Sequence, residues 1–210
     1  MKQERLIILT LLMAAVSFAL SAQGRRLAPK TVKTTFGVKA GLNLSSISNA
    51  GDDVDFSAGM KGDFMLGVTA NFHFGSRDEG SPVGTGMFGL QPELLYSRQG
   101  FAYGGEAVNF DYIALPVMAK LYVSKGFNIE AGPRLAYLLG ASPSTTVIEG
   151  SQIAVGELKG GIDLGVAFGA EYETTLGLTL GARYNLGLSD MADNLIWKNS
   201  VISLSLGWLF

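Results

Sequence analysis

From Thr35 to the last residue, apolar side chains alternate with small or polar ones at a period of two. Successive side chains of a strand point to opposite faces, so this pattern predicts strands with one apolar face each. Eight segments carry it. In the first, residues 35–45, Phe36, Val38, Ala40, Leu42 and Leu44 share one face, with Gly37, Lys39, Gly41 and Asn43 on the other. The next six are predicted at 61–74, 87–98, 109–122, 127–139, 161–172 and 176–188. The last is the terminal run, with Ile202, Leu204, Leu206, Trp208 and Phe210 on one face and Ser203, Ser205 and Gly207 on the other. Most segments hold about 10–13 residues, and a tilted strand needs about 9–11 to cross a bilayer core.

The connections are unequal. Short ones are predicted at 124–126 and 173–175, and longer ones at 47–60, 99–108, 141–157 and 189–199. The link at 75–86 is long for its class. With the N-terminus in the periplasm, the four long loops lie outside the cell, as in outer-membrane barrels.

Alternation alone also suits a soluble, lipocalin-like barrel, and the non-apolar face separates the two. In water that face would carry many Lys and Glu side chains. Here it is mostly Gly, Ser, Thr and Asn, which suits the crowded lumen of a small barrel. The apolar face is then left for lipid, with Tyr96, Tyr122, Tyr137, Tyr172, Tyr184 and Trp208 as candidate interfacial girdles, Tyr122 pointing inward by strict parity. Hydrocarbon tolerates no open strand edge, so the terminal strand is expected to pair with the first. The predicted fold is an all-β, eight-stranded antiparallel up-and-down transmembrane β-barrel.

By parity the lumen receives Lys39, Lys120, Arg134 and Arg183 together with Asp63, Glu93, Glu130, Asp163 and Glu171. Buried charges need partners. The short hairpin at 124–126 predicts a Lys120–Glu130 pair, and Glu93 is expected to meet Arg134 across the fourth strand. The group reads as a structural plug of ion pairs, with a gated ion path as the alternative.

Composition adds location. Charged residues make up 16% of the 210, against roughly 25% in soluble domains. The net charge of −2 gives nucleic acid no footing. The absence of cysteine excludes disulfides, thiolate chemistry and lipidation at an N-terminal cysteine. Lys2 and Arg5, an apolar run from Leu6 to Leu20, and then Ser21 and Ala22 read as a signal peptide over 1–22, cleaved after Ala22 or after Ser21; a retained anchor is the alternative. Residues 23–34, with Arg25, Arg26, Lys30 and Lys33, form a basic periplasmic arm, and 35–210 form the barrel domain.

The chain offers little catalytic material. His73 is the only histidine and sits near the predicted periplasmic rim, facing inward, where it reads as a hydrogen-bond donor. A catalytic histidine needs a nucleophile and an orienting acid in reach. The acidic run 51–55 lacks the spacing of a calcium loop and reads as solvated. The reading is of a protein that is not an enzyme, with no catalytic, cofactor or metal residues and no cofactor.

Four segments carry a resemblance. Leu90-Gln91-Pro92-Glu93-Leu94-Leu95-Tyr96-Ser97-Arg98-Gln99-Gly100, Tyr112-Ile113-Ala114-Leu115-Pro116-Val117 with Lys120, Ala131-Gly132-Pro133, and Arg183-Tyr184-Asn185-Leu186-Gly187-Leu188 resemble the third, fourth, fifth and seventh strands of the PorT-like outer-membrane β-barrel family. Ala114 departs from that pattern, standing where the family often has an acidic residue. The resemblance implies a small porin-like barrel in the outer membrane of a Gram-negative bacterium, in a family whose name-giving member is linked to type IX protein secretion. The expected role is structural, adhesive or accessory, with a secretion component or a narrow channel as alternatives. Expected partners are outer-membrane lipid, surface or secretion proteins, and the barrel-assembly machinery through a C-terminal signal at Trp208 and Phe210.

Overall fold

The computed structural model describes residues 32–49, 60–74, 88–103, 106–142, 146–148, 151–153, 161–189 and 197–210. The predicted signal peptide, most of the predicted basic arm, the 51–55 acidic run and the 75–86 link lie outside them. Eight strands close a barrel: β1 (Val32–Asn49), β2 (Lys61–Phe74), β3 (Phe88–Tyr103), β4 (Glu106–Tyr122), β5 (Phe127–Ser142), β8 (Ile162–Glu173), β9 (Leu178–Gly187) and β10 (Trp197–Leu209). Between β5 and β8, β6 (Thr146–Ile148) and β7 (Ser151–Ile153) form a separate two-stranded hairpin. Each barrel strand pairs antiparallel with its sequence neighbour in the barrel, and β1 closes the ring on β10. The start of β1 at Val32 takes the last three residues of the predicted arm into the wall.

The period-two pattern becomes an inside and an outside. Phe36, Leu42, Leu66, Phe168, Leu180 and Leu204 are exposed on the outer wall, while Lys39, Asn43, Thr69, Glu171 and Ser203 are buried within. An apolar exterior that runs round every strand is a surface made for lipid. Its edges are marked. Tyr172 and Trp208 stand exposed toward the end that holds the short turns, and Tyr137 toward the opposite end, where the longer connections lie. Near that loop end the outer face turns polar: the Arg98 guanidinium grips Asp111 (Nε to Oδ1, 2.8 Å), and the Tyr96 hydroxyl donates to the same carboxylate at 2.7 Å. Tyr122 does not join a girdle. It points into the lumen, as strict parity requires.

Two glycines make the short turns. Gly126, at φ 76°, and Gly177, at φ 89°, occupy the left-handed region, where a Cβ is strained. A Cβ at Gly126 would also lie 2.1 Å from the Glu173 carbonyl oxygen. The strained backbone thereby fits the β4–β5 hairpin against the end of β8.

At the loop end one expectation fails. Residues 99–108 do not form a long loop. Strands β3 and β4 run on through them, pairing Gly100 with Asn109 and Tyr103 with Glu106, so the connection shrinks to residues 104 and 105. Below this extension the register shifts between Asp111 and Tyr112, which face Gly140 and Leu138, so Leu139 is an extra residue that bulges β5.

The seam is long and regular. Gly37 lies opposite Leu209 and Asn49 opposite Trp197, with every position between them paired. Beyond it, Phe36 and Phe210 exchange backbone hydrogen bonds of 3.3 and 2.7 Å.

Candidate functional site

The concentrated chemistry of this barrel lies in its lumen, stacked in layers. Each inward position is set by the pleat, and the layer it joins is set by the register of its strand.

Nearest the turn end, Glu173 collects donors on one oxygen. Its Oε1 accepts from Lys120 Nζ at 2.8 Å, the Tyr122 hydroxyl at 2.8 Å and Asn71 Nδ2 at 3.1 Å. His73 is buried beside it, its ring 4.6 Å from that of Tyr122. The His73 Nε2 lies 3.6 Å from Glu173 Oε2, beyond hydrogen-bond reach, and both ring nitrogens lack a hydrogen-bond partner. The histidine therefore faces inward as parity predicts, but it is not the rim donor the sequence suggested.

The central layer is a continuous ion-pair chain. Lys120 bridges Glu173 to Glu171 (2.5 Å), and Lys39 bridges Glu171 (2.7 Å) to Glu93 (2.8 Å). Arg183 then forks onto Glu93, Nη1 to Oε2 at 2.7 Å and Nη2 to Oε1 at 3.0 Å, and its Nε donates to Glu130 at 2.8 Å. These side chains are no more than 8% exposed. Gln91 adds a hydrogen bond to Glu93 at 2.6 Å. Charges this deep hold together only when each carboxylate meets a cation within a few ångströms.

Of the nine charges that parity assigns to the lumen, eight are buried and Asp63 is half-buried, and the two predicted pairs are not made. Lys120 does stand opposite Glu130 in the ladder, yet its ammonium turns across the lumen to Glu171 and Glu173. Arg134 pairs with Asp163 at 2.8 Å rather than with Glu93. Asp63 binds Lys61 on its own strand. Glu173 was missed because the sixth segment was ended at Tyr172; its inward parity, two positions after Glu171, was the signal.

Above the ion pairs is a layer of neutral polar groups. Asn43 donates to Ser97 Oγ at 2.9 Å and accepts from Ser203 Oγ at 2.8 Å, while Asn199 and Gln99 bond to each other. A void of about 20 Å³ lies here, lined in part by Ser97, Pro116, Arg134, Arg183 and Ser203. It is large enough for about one water molecule.

The loop end is shut by an apolar cluster that the sequence reading did not foresee. Met65, Leu95, Phe101, Val108, Phe110, Tyr112, Ala114, Ala136 and Leu138 pack together, and Phe101 is fully buried. The rings of Phe101 and Phe110 lie 6.2 Å apart. Phe101 and Val108 come from the strand extensions within the predicted 99–108 loop, and Phe110 lies at the start of the predicted 109–122 segment. Their parity continues that of Gln99 and Tyr112.

The lumen is thus occupied from end to end by ion pairs, amides and hydroxyls, and finally hydrocarbon. Among the described residues, no group of three or more His, Asp and Glu side chains is arranged to hold a metal ion.

Comparison with known proteins agrees with this geometry. Among solved structures, Neisserial surface protein A matches with a TM-score of 0.56 at 16% identity, covering 85% of this chain and 99% of that one. Ail, the attachment invasion locus protein of Yersinia pestis, matches with a TM-score of 0.47 at 14% identity over 85% of this chain and 99% of its own. OprG from Pseudomonas aeruginosa matches with a TM-score of 0.43 at 12% identity over 87% and 98%. No curated protein sequence matches. The family model described as outer membrane protein beta-barrel domain matches residues 21–193. An apolar-walled barrel of eight strands, closed first to last, and a model match over most of the chain lead to one conclusion: the protein spans the outer membrane with its strands and belongs to the outer membrane protein beta-barrel domain family.

Proposed function

We propose that this protein is a non-conducting, non-enzymatic barrel that anchors its loop end at the cell surface, where that end meets outside partners. The carrying observation is the filled lumen. An ion entering from the loop end would have to displace the Phe101–Phe110 cluster and then break the pairs joining Arg183, Glu93, Lys39, Glu171 and Lys120. Eight-stranded barrels have interiors just wide enough for side chains, which leaves no room for a bypass. The paired lumen charges then act structurally, as a plug. Purified barrel in planar bilayers is expected to be electrically silent across the applied voltages. Steady unitary currents from pure protein would overturn this reading.

A second reading has a specific support. The four segments that resemble the PorT-like family contain Glu93, Lys120 and Arg183, three members of the central ion-pair chain. A barrel of that family would serve as an accessory of type IX secretion. In this reading residues 1–22 are a removed signal peptide, the basic arm lies in the periplasm, and Trp208 and Phe210 are read by the barrel-assembly machinery. Pull-down from native membranes tests both claims. Secretion components should co-purify with the full-length protein, and a chain lacking Phe210 should accumulate outside the membrane fraction. Normal membrane levels of the truncated chain would remove the assembly role, and an empty pull-down would remove the secretion role.

A further inference from the structure

Three prolines from three separate segments meet in one part of the wall. Along β2 and β3 the ladder pairs Thr69 with Glu93 and resumes at Phe72 with Leu90, omitting the positions at Pro92. Along β3 and β4 it pairs Pro92 with Val117 and resumes at Leu95 with Ala114, omitting those at Pro116. Along β4 and β5 it pairs Pro116 with Arg134 and resumes at Ala119 with Ala131, omitting those at Pro133. Each proline keeps its place opposite one neighbouring strand and loses it opposite the other. The lost side is the one toward which its missing N–H would have pointed.

The interruptions are therefore consecutive. Three adjacent strand pairs each lack a ladder bond at one level, and the carbonyls of Ala70, Glu93 and Val117 face residues with no N–H to give. At the third site the geometry is tight: a Cβ at Gly132 would lie 1.9 Å from the Val117 carbonyl oxygen, which points into β5 beside Pro133. The 20 Å³ void touches the inside of this patch at Leu95, Ala114, Pro116 and Arg134 and is lined across the lumen by Arg183, Asn185, Ser203 and Ser205, so it does not set the two sides of the barrel apart. The opposite side of the barrel is different. From Gly37 to Asn49 the β1–β10 ladder has no break, and β10–β9 is continuous from Trp208 to Ser200.

We infer that the β2–β5 panel is a compliant section of the wall, the place where the barrel bends or opens locally, while β8, β9, β10 and β1 form its rigid side. Backbone bonds are what hold a strand against its neighbour in hydrocarbon, where no water can substitute. A wall that lacks them at one level over three neighbouring pairs yields there first.

Hydrogen exchange on the full-length barrel in detergent micelles tests this. Amides within two residues of Pro92, Pro116 and Pro133 should exchange about tenfold faster than those of residues 39–44 in β1 and 203–206 in β10, the order of effect of one missing backbone bond. Pro133→Val, at an exposed outer position, restores an N–H toward the Val117 carbonyl and should slow exchange in β4–β5 by a similar factor. Pro92→Val, read at β2–β3, replaces it if that variant does not fold. Equal protection of the two sides in the unaltered protein, or a valine variant that folds with unchanged rates, would overturn the inference.

Discussion

Arg183→Met will destabilise the folded barrel by about 3–5 kcal/mol, the usual loss when one partner is removed from a buried charge cluster. Among the described residues, Arg183 is the sole cation paired with Glu130 and one of two paired with Glu93. Methionine fills much of the arginine volume but leaves Glu130 charged in a low-dielectric lumen with no counter-ion. The measurement is the urea midpoint of the refolded protein in micelles, followed by the gel shift between folded and heat-denatured forms. The double variant Arg183→Met/Glu130→Gln separates charge from packing, because it removes the stranded carboxylate as well. It should recover a substantial part of the loss. A double variant as unstable as the single one would mean that the guanidinium acts by bulk alone, and the lumen could not then be read as an electrostatic plug.

The second large effect lies on the other side of the same wall. Leu204 sits half-way along β10, opposite Leu42 and Ala182, and is 50% exposed on the outer face. Leu204→Arg should reduce stability in phospholipid vesicles by about 2–4 kcal/mol, whereas Leu188→Arg, at the loop end of β9, should cost about 0–1 kcal/mol. The contrast depends on depth alone, since both leucines point outward and both are apolar. Equal losses at the two positions would mean that the hydrocarbon does not centre on the Leu42–Leu204–Ala182 row.

Strand count, antiparallel order and the sidedness of the wall were legible because a half-buried strand writes its environment on every second residue. The predicted 61–74 segment coincides with β2, and the closure of β10 on β1 follows from the intolerance of hydrocarbon for open edges. The membership of the lumen was legible for the same reason. Its wiring was not. Lys120 reaches Glu171 and Glu173 across the interior, and which strand lies across is decided by tilt and stagger, which no single strand records. The loop-end cap was hidden differently. Gly100, Gly104 and Gly105 are turn-forming residues, and they obscured the inward parity of Phe101, Val108 and Phe110 on either side. The prolines were visible one at a time within their motifs. Their meeting in one panel depends on register, which only the paired strands display.

The seam has a consequence in time. Its two strands are the first and the last of the barrel to be made, so β1 has no partner on its outer edge until β10 has been synthesised. Throughout that interval the edge offers unpaired amides and carbonyls along its whole length, and no stable insertion into hydrocarbon is open to it. Stable membrane entry of the barrel therefore follows the synthesis of β10, when Phe36 and Phe210 can meet.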